Sequence, residues 1–312
     1  MRKALVIGID NYASHPLKGC VNDAKAFASI IERNSDGTPN FGVKLIPNVK
    51  TKSALKTLIV ELFEGKNDVA LFYFSGHGFI NELGGYIVTP DHSKYDEGIS
   101  MDEVLTLANK STVKDKIIIL DCCHSGAFGS PANSGGSTTQ IIEGITILTA
   151  SRDSESAIEI NGHGIFTNLL LDALQGGAAD LRGNITPGSI YAYIDQALGA
   201  WDQRPVFKTN VTRFIPLRTV TPPIPFNILR KITEYFKVPE EEFKLNPTFE
   251  DTEKSHDPTN VIIFKNLQKY ERVNLVVPVD EEHMYYAAMN SKSCKLTALG
   301  HHYWRLVKEK RI

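Results

Sequence analysis

No apolar run in the 312-residue sequence approaches the roughly 20 residues that a membrane-spanning helix needs, which argues against a membrane protein. Charge of one sign is also missing. The chain carries 34 basic against 36 acidic side chains, a net −2, so no electrostatic footprint for nucleic acid stands out. Cysteine is scarce: Cys20, Cys122, Cys123 and Cys294 are irregularly spaced, which excludes a disulfide framework, and no C-x-x-C pair offers a zinc site. Free thiols of this kind fit a reducing, cytoplasmic compartment. No internal repeat is present. The opening MRKALVIGID meets Asp10 after a short apolar run and lacks a cleavage site, so it reads as a strand rather than a signal peptide. What remains is ordinary for a globular chain: 42% hydrophobic and 22% charged residues, enough for a main domain plus a smaller one.

Over the first two-thirds, short apolar runs alternate with segments of helical period. KALVIGI (3–9), DVALFYFSG (68–76), DKIIILD (115–121) and GITILTAS (144–151) have the near-continuous apolar character of central parallel strands. VKLIPN (43–48) and VTRFIPL (211–217) add a further strand and an edge strand. NDAKAFASIIERN (22–34) reads as a helix with Asn22 or Asp23 near its N-cap. SALKTLIVELFEG (53–65), MDEVLTLANK (101–110), GIFTNLLLDALQGG (164–177) and TPGSIYAYIDQAL (186–198) complete the helical set. The pattern predicts an open, mostly parallel six-stranded α/β sheet with helices on both faces over residues 1–217. A proline-rich linker, RTVTPPIPFN (218–227), then leads to a small α+β unit over 228–312.

In open α/β sheets, functional groups gather at the carboxyl ends of the strands. Two strands here end in reactive side chains. LFYFSGHG ends in His77 between Gly76 and Gly78, and IIILDCCHSG ends in Cys122 and Cys123. A thiol attacks a carbonyl only as thiolate and needs a base, which an imidazole with a near-neutral pKa supplies. The N–H groups of Gly78 and of the nucleophile itself are candidates for an oxyanion hole. Side-chain alternation puts Asp121 and Cys123 on one side of the strand and Cys122 on the other.

The ordered set ALVIGIDNY, LKGCVNDA, YFSGHG, LDCCHSG, TASRDSESA and GHGIFTNLLLDAL resembles the caspase-like cysteine peptidases of clan CD, metacaspases most closely. The likeness covers residues 1–217. His77 and Cys123 stand 46 positions apart, close to the caspase interval of about 50, although the animal signature Q-A-C-x-G is absent. The resemblance implies that His77 is the base and Cys123 the nucleophile, third in the D-x-C-H-S-G block. It also implies a primary specificity pocket lined by Cys20, Asp23, Asp121 and Ser156. Two carboxylates there favour Arg or Lys before the scissile bond, since burying either acid without a counter-charge costs several kcal/mol.

The same likeness raises calcium as a cofactor, with Asp91, Asp96 and Glu97 of PDHSKYDEG (90–98) as oxygen ligands; a solvated acidic loop is the simpler reading. Residues 125–143 contain no Lys or Arg, so self-cleavage with basic specificity must fall elsewhere, NKSTVKDK (109–116) being the nearest exposed candidate. The last 85 or so residues loosely resemble a winged-helix unit, with Leu296, Leu299, Tyr303 and Leu306 as a core stripe. By analogy with bacterial caspase-like proteins, this unit would sense a signal or an activator protein, a nucleotide-derived small molecule among the candidates. The implied whole is a latent prokaryotic protease of stress, cell death or anti-phage defence acting on protein substrates. A catalytically silent scaffold and a DNA-binding regulator are the alternatives.

Overall fold

The computed structural model describes residues 1–82, 84–122, 140–150, 159–160, 163–198 and 205–312. These fall into two compact units, Met1–Thr221 and Pro222–Ile312. In the first unit β1 (Arg2–Gly8), α1 (Cys20–Ile31), β2 (Gly42–Pro47), α2 (Lys52–Phe63) and β3 (Val69–Ser75) alternate. A small antiparallel sheet follows, made of β4 (Gly78–Asn81), β5 (Gly84–Ser93) and β6 (Asp96–Ser100) in the order β4-β5-β6. Then come α3 (Met101–Lys110), β7 (Asp115–Asp121), β8 (Ile145–Thr149), and a short pair β9 (Glu159–Ile160) and β10 (His163–Gly164). The unit closes with α4 (Ile165–Asp172), β11 (Asn184–Ile185), α5 (Pro187–Ala197), β12 (Val206–Asn210) and β13 (Arg218–Thr219).

The main sheet has six strands in the order β12-β8-β7-β3-β1-β2, all parallel except the antiparallel edge β12. Its central strands are buried on both faces, as their unbroken apolar sequences require. The two faces build two separate cores. Ile118, Leu120 and Cys122 of the β7 segment pack on α2 and α3 residues such as Leu55 and Val104, while Ile117 and Ile119 pack with Phe27 of α1 and Leu170 of α4. Among the described residues, no helix is long and apolar enough to cross a membrane.

Several sequence expectations shift. The edge strand lies at Val206–Asn210 rather than 211–217, because the pairing with β8 begins at Val206 and ends at Asn210. Helix α1 starts at Cys20, two residues before Asn22, with Gly19 at its N-cap. The carboxylate of Asp10, at the end of β1, accepts the N–H groups of Cys20 and Val21 at 2.9 and 3.4 Å and does the work expected of Asn22 or Asp23. The stretch 90–98, read as an acidic loop, is largely the β5–β6 hairpin. Part of the stretch read as a linker is built into the first unit: Arg218–Thr219 pair with β11, and Leu217 and Val220 are buried in its core.

The second unit contains two short helices, α6 (Phe226–Leu229) and α7 (Ile232–Tyr235), then β14 (Phe243–Lys244) and α8 (Pro258–Arg272). It ends with β15 (Val276–Val279), α9 (Met284–Met289), β16 (Ser293–Leu296) and α10 (Ala298–Lys308). Its three strands form an antiparallel sheet in the order β14-β16-β15. Leu296 and Tyr303 are buried as expected, but Leu299 is 41% exposed, and Gly300 takes the inward place against the Leu275 carbonyl.

Candidate active site

Strands β3 and β7 are parallel neighbours whose register sets Ser75 opposite Asp121. The Gly76 N–H donates to the Asp121 carbonyl at 3.3 Å, tying the two strand ends together as they leave the sheet. His77 stands two residues beyond Ser75 on the first end, and Cys123 two residues beyond Asp121 on the second. Cys123 and Ser156 lie outside the described residues. Cys122 is buried with Ile118 and Leu120, on the face opposite Asp121, as side-chain alternation predicts.

The imidazole of His77 is tightly placed. Its Nε2 lies 2.6 Å from the backbone carbonyl of His15. A carbonyl only accepts, so Nε2 carries the proton and Nδ1 is the nitrogen with the lone pair. His15 itself holds a left-handed backbone, φ 63°, just before Pro16. Tyr12 secures the other side: its ring packs on the imidazole at 4.6 Å, and its hydroxyl accepts the His77 N–H at 3.0 Å while donating to the Val88 carbonyl at 3.3 Å. Val88 returns its own N–H to the His77 carbonyl at 3.0 Å, so both backbone groups of His77 are engaged in one closed circuit. Gly76 leaves room for this arrangement, since a Cβ there would lie 2.7 Å from the Tyr12 hydroxyl.

That Val88-to-His77 bond also sets the phase of the β4–β5 ladder. Gly78 and Ile87 form the pair whose backbone groups do not face one another, so the N–H of Gly78 points away from β5.

The acidic residues named from sequence come together on the other side of the sheet end. Asp23, on the first turn of α1, is 2% exposed and accepts the N–H of Gly164 at 3.3 Å. Asp121 accepts the hydroxyl of Thr167 at 2.6 Å. A Cβ built on Gly164 would meet Asp121 Oδ2 at 3.3 Å and Asp23 Oδ2 at 3.6 Å, so both carboxylates border one small space. Burial and the charge of Asp23 push the Asp121 carboxyl up to about 7 against the pull of Thr167. Cys20 belongs to the same cluster, hydrogen-bonded to Ser75. Burial pushes its thiol up, and Asp121, Asp10 and Asp23 add to the effect, so it stays protonated.

The calcium candidates are arranged differently. Asp91 accepts the backbone N–H of Lys52 at 3.0 Å, capping α2, and Asp96 pairs with the Lys52 ammonium at 2.6 Å. Among the described residues, no group of three His, Cys, Asp or Glu side chains could hold a metal ion.

Three contributors to this site were not read from sequence. Tyr12 is visible in the motif ALVIGIDNY, and Thr167 in GHGIFTNLLLDAL, but neither carries reactive chemistry. The third, the His15 carbonyl, has no signal at all, because every residue type supplies the same group.

The family model described as the caspase domain matches residues 1–215. The chain belongs to the caspase-domain peptidase family. A curated relative, metacaspase-1 of Arabidopsis thaliana, is 25% identical over 144 residues, 40% of this chain; the chain spans only 39% of that relative's length. Solved structures with a similar fold include protein GSU0716 from Geobacter sulfurreducens and caspase-1 from Spodoptera frugiperda. The first has a TM-score of 0.49 at 19% identity, covering 71% of this chain and 100% of its own. The second has a TM-score of 0.45 at 18% identity, covering 70% and 91%.

Proposed function

We propose that this caspase-domain chain is a cysteine endopeptidase that cleaves proteins after Arg or Lys. His77 Nδ1 takes the proton of the Cys123 thiol, and the thiolate attacks the carbonyl of the residue before the scissile bond. The N–H groups of Gly78 and Cys123 hold the oxyanion, and His77 then protonates the departing amine. Water hydrolyses the thioester, with His77 as base. The observation that supports this reading is the register of β3 on β7, which sets Ser75, two residues before His77, beside Asp121, two residues before Cys123, with one ring nitrogen of His77 already committed to a carbonyl.

Basic specificity is supported by the convergence of Asp23 and Asp121 on Gly164. Ser156 would line the same pocket. The second unit would be the control element of a latent cytoplasmic prokaryotic effector, used in stress, cell death or anti-phage defence. Exposed Tyr285, Tyr286 and Ile262 give it apolar surface for an activating small molecule, nucleotide-derived or otherwise, or for an activator protein. Fluorogenic peptides ending in Arg, Lys or Asp test the central claim. Turnover after Arg or Lys that is abolished in Cys123→Ala and His77→Ala is the expected result; turnover only after Asp, or full activity in Cys123→Ala, overturns it.

A further inference from the structure

Thr167 lies on the first turn of α4 and is fully buried, at 0% exposure. Its Oγ1 sits 2.6 Å from Asp121 Oδ2 and 2.6 Å from the Tyr73 hydroxyl. A hydroxyl has one proton. When Asp121 is ionised that proton goes to its carboxylate and the Tyr73 phenol must donate to Thr167, so in the cation-binding state the relay runs Tyr73 to Thr167 to Asp121. Tyr73 is likewise fully buried, in β3, one of the two central strands, and stacks on Phe27 at 4.4 Å. The relay therefore starts from a rigid part of the core. It claims Oδ2 of Asp121 and fixes the plane of the carboxylate.

Three residues before Thr167, Gly164 is the N-cap of α4. It donates its N–H to Asp23, and its lack of a side chain keeps open the point that lies within 3.6 Å of both acids. One helix terminus thus orients both carboxylates and preserves the space between them.

We infer that Thr167 is a specificity-positioning residue, holding Asp121 in the plane that a guanidinium requires, and that Gly164 keeps the base of the pocket clear for that group. This rests on the reading of Asp23 and Asp121 as a cation pocket. A planar guanidinium binds a carboxylate through two parallel hydrogen bonds and is sensitive to the carboxylate's rotation. A compact ammonium is not, so loss of the relay selectively weakens Arg.

The test compares Arg- and Lys-ended peptides on the full chain. In Thr167→Val, which keeps the shape and loses the hydroxyl, KM for the Arg peptide rises about 30-fold with kcat little changed, as loss of a charge-assisted bond predicts; the Lys peptide changes by about 3-fold. Thr167→Ser restores the Arg preference. Tyr73→Phe leaves the Thr167–Asp121 bond and lowers the Arg-to-Lys ratio by a smaller amount, about 3-fold. Gly164 has an ordinary φ of −62°, so Gly164→Ala is conformationally tolerated and raises KM for Arg. The rate of Cys123 alkylation by iodoacetamide stays as in the parent.

Folded Thr167→Val and Gly164→Ala proteins with the parental KM and Arg-to-Lys ratio overturn the inference. Should Thr167→Val fail to fold, an unchanged ratio in Tyr73→Phe and unchanged KM in Gly164→Ala overturn it equally. A parent enzyme without preference for basic peptides, or an unmoved KM in Asp121→Asn, instead refutes the cation-pocket reading itself.

Discussion

Asp121 carries the sharpest residue-scale consequence. It faces Asp23, Cys20, Tyr73 and Thr167, and its carboxyl titrates near 7. Below that pH it is protonated and attracts no cation, so KM for an Arg-ended peptide falls as the pH rises from 6 to 8. Initial-rate kinetics across that window check this, and Asp121→Asn should flatten the dependence. Stability runs the other way: the folded carboxyl binds its proton more tightly than the unfolded one, so this group's contribution declines as pH rises from 3.8 towards about 7. Tyr12 acts on the base. In Tyr12→Phe the half-buried N–H of His77 loses its acceptor, a cost of about 1 kcal/mol, and kcat should drop about 10-fold with KM retained. Loss of stability with unchanged kcat would make Tyr12 a core residue only. Both residues were present in the quoted motifs. The pocket role of Asp121 came with the family resemblance, but its tie to Thr167 and the task of Tyr12 were not legible, because their partners, Thr167 and Val88, lie far away in sequence.

Elements came through the sequence unevenly. The strands β1, β3 and β7 were legible because burial on both faces forces an unbroken apolar run. The hairpins β4–β5–β6 were not, since Gly78–Ser100 mixes glycines, acids and exposed apolar residues and the β5–β6 pairing shifts register between Val88 and Ser93. Helix α5 was marked by its own chemistry: Thr186 and Ser189 exchange side-chain to backbone bonds ahead of the helix, with Pro187 in the first turn. Thr186→Ala should cost about 1 kcal/mol, a fall of about 2–4 °C in Tm by circular dichroism. Gly98 and Gly144 are stricter. Each has positive φ, 141° and 85°, and each would place a Cβ 2.1 Å from a backbone carbonyl oxygen, of Ile87 and Lys114 respectively. Gly144→Ala should therefore destabilise by well over about 1 kcal/mol, and urea melts showing less would contradict the strained geometry.

At the scale of the molecule, specificity and chain composition combine into a statement about self-processing. No basic residue occurs from 125 to 143, so an enzyme restricted to Arg and Lys leaves that segment uncut. Between 109 and 116 the three lysines are not equivalent. Lys110 and Lys114 are exposed, whereas Lys116 is 2% exposed and donates to the Val113 carbonyl at 3.1 Å. Intact-mass and N-terminal analysis of active protein should find any cut in this region after Lys110 or Lys114 and none after Lys116. A new terminus within 126–144 would contradict basic specificity.

The linear sequence determined which strands lie at the centre of the main sheet, which two strand ends carry reactive groups, and that Asp121 and Cys122 face opposite ways. Apolar runs, period-two alternation and motif order are local properties that survive without a fold. Tertiary structure alone decided that Asp10 starts α1, that the His15 carbonyl fixes the tautomer of His77, and that one end of α4 orients both acids. These are contacts between backbone groups or unreactive hydroxyls, whose partners are chosen by strand register and helix packing and leave no mark on the residue type.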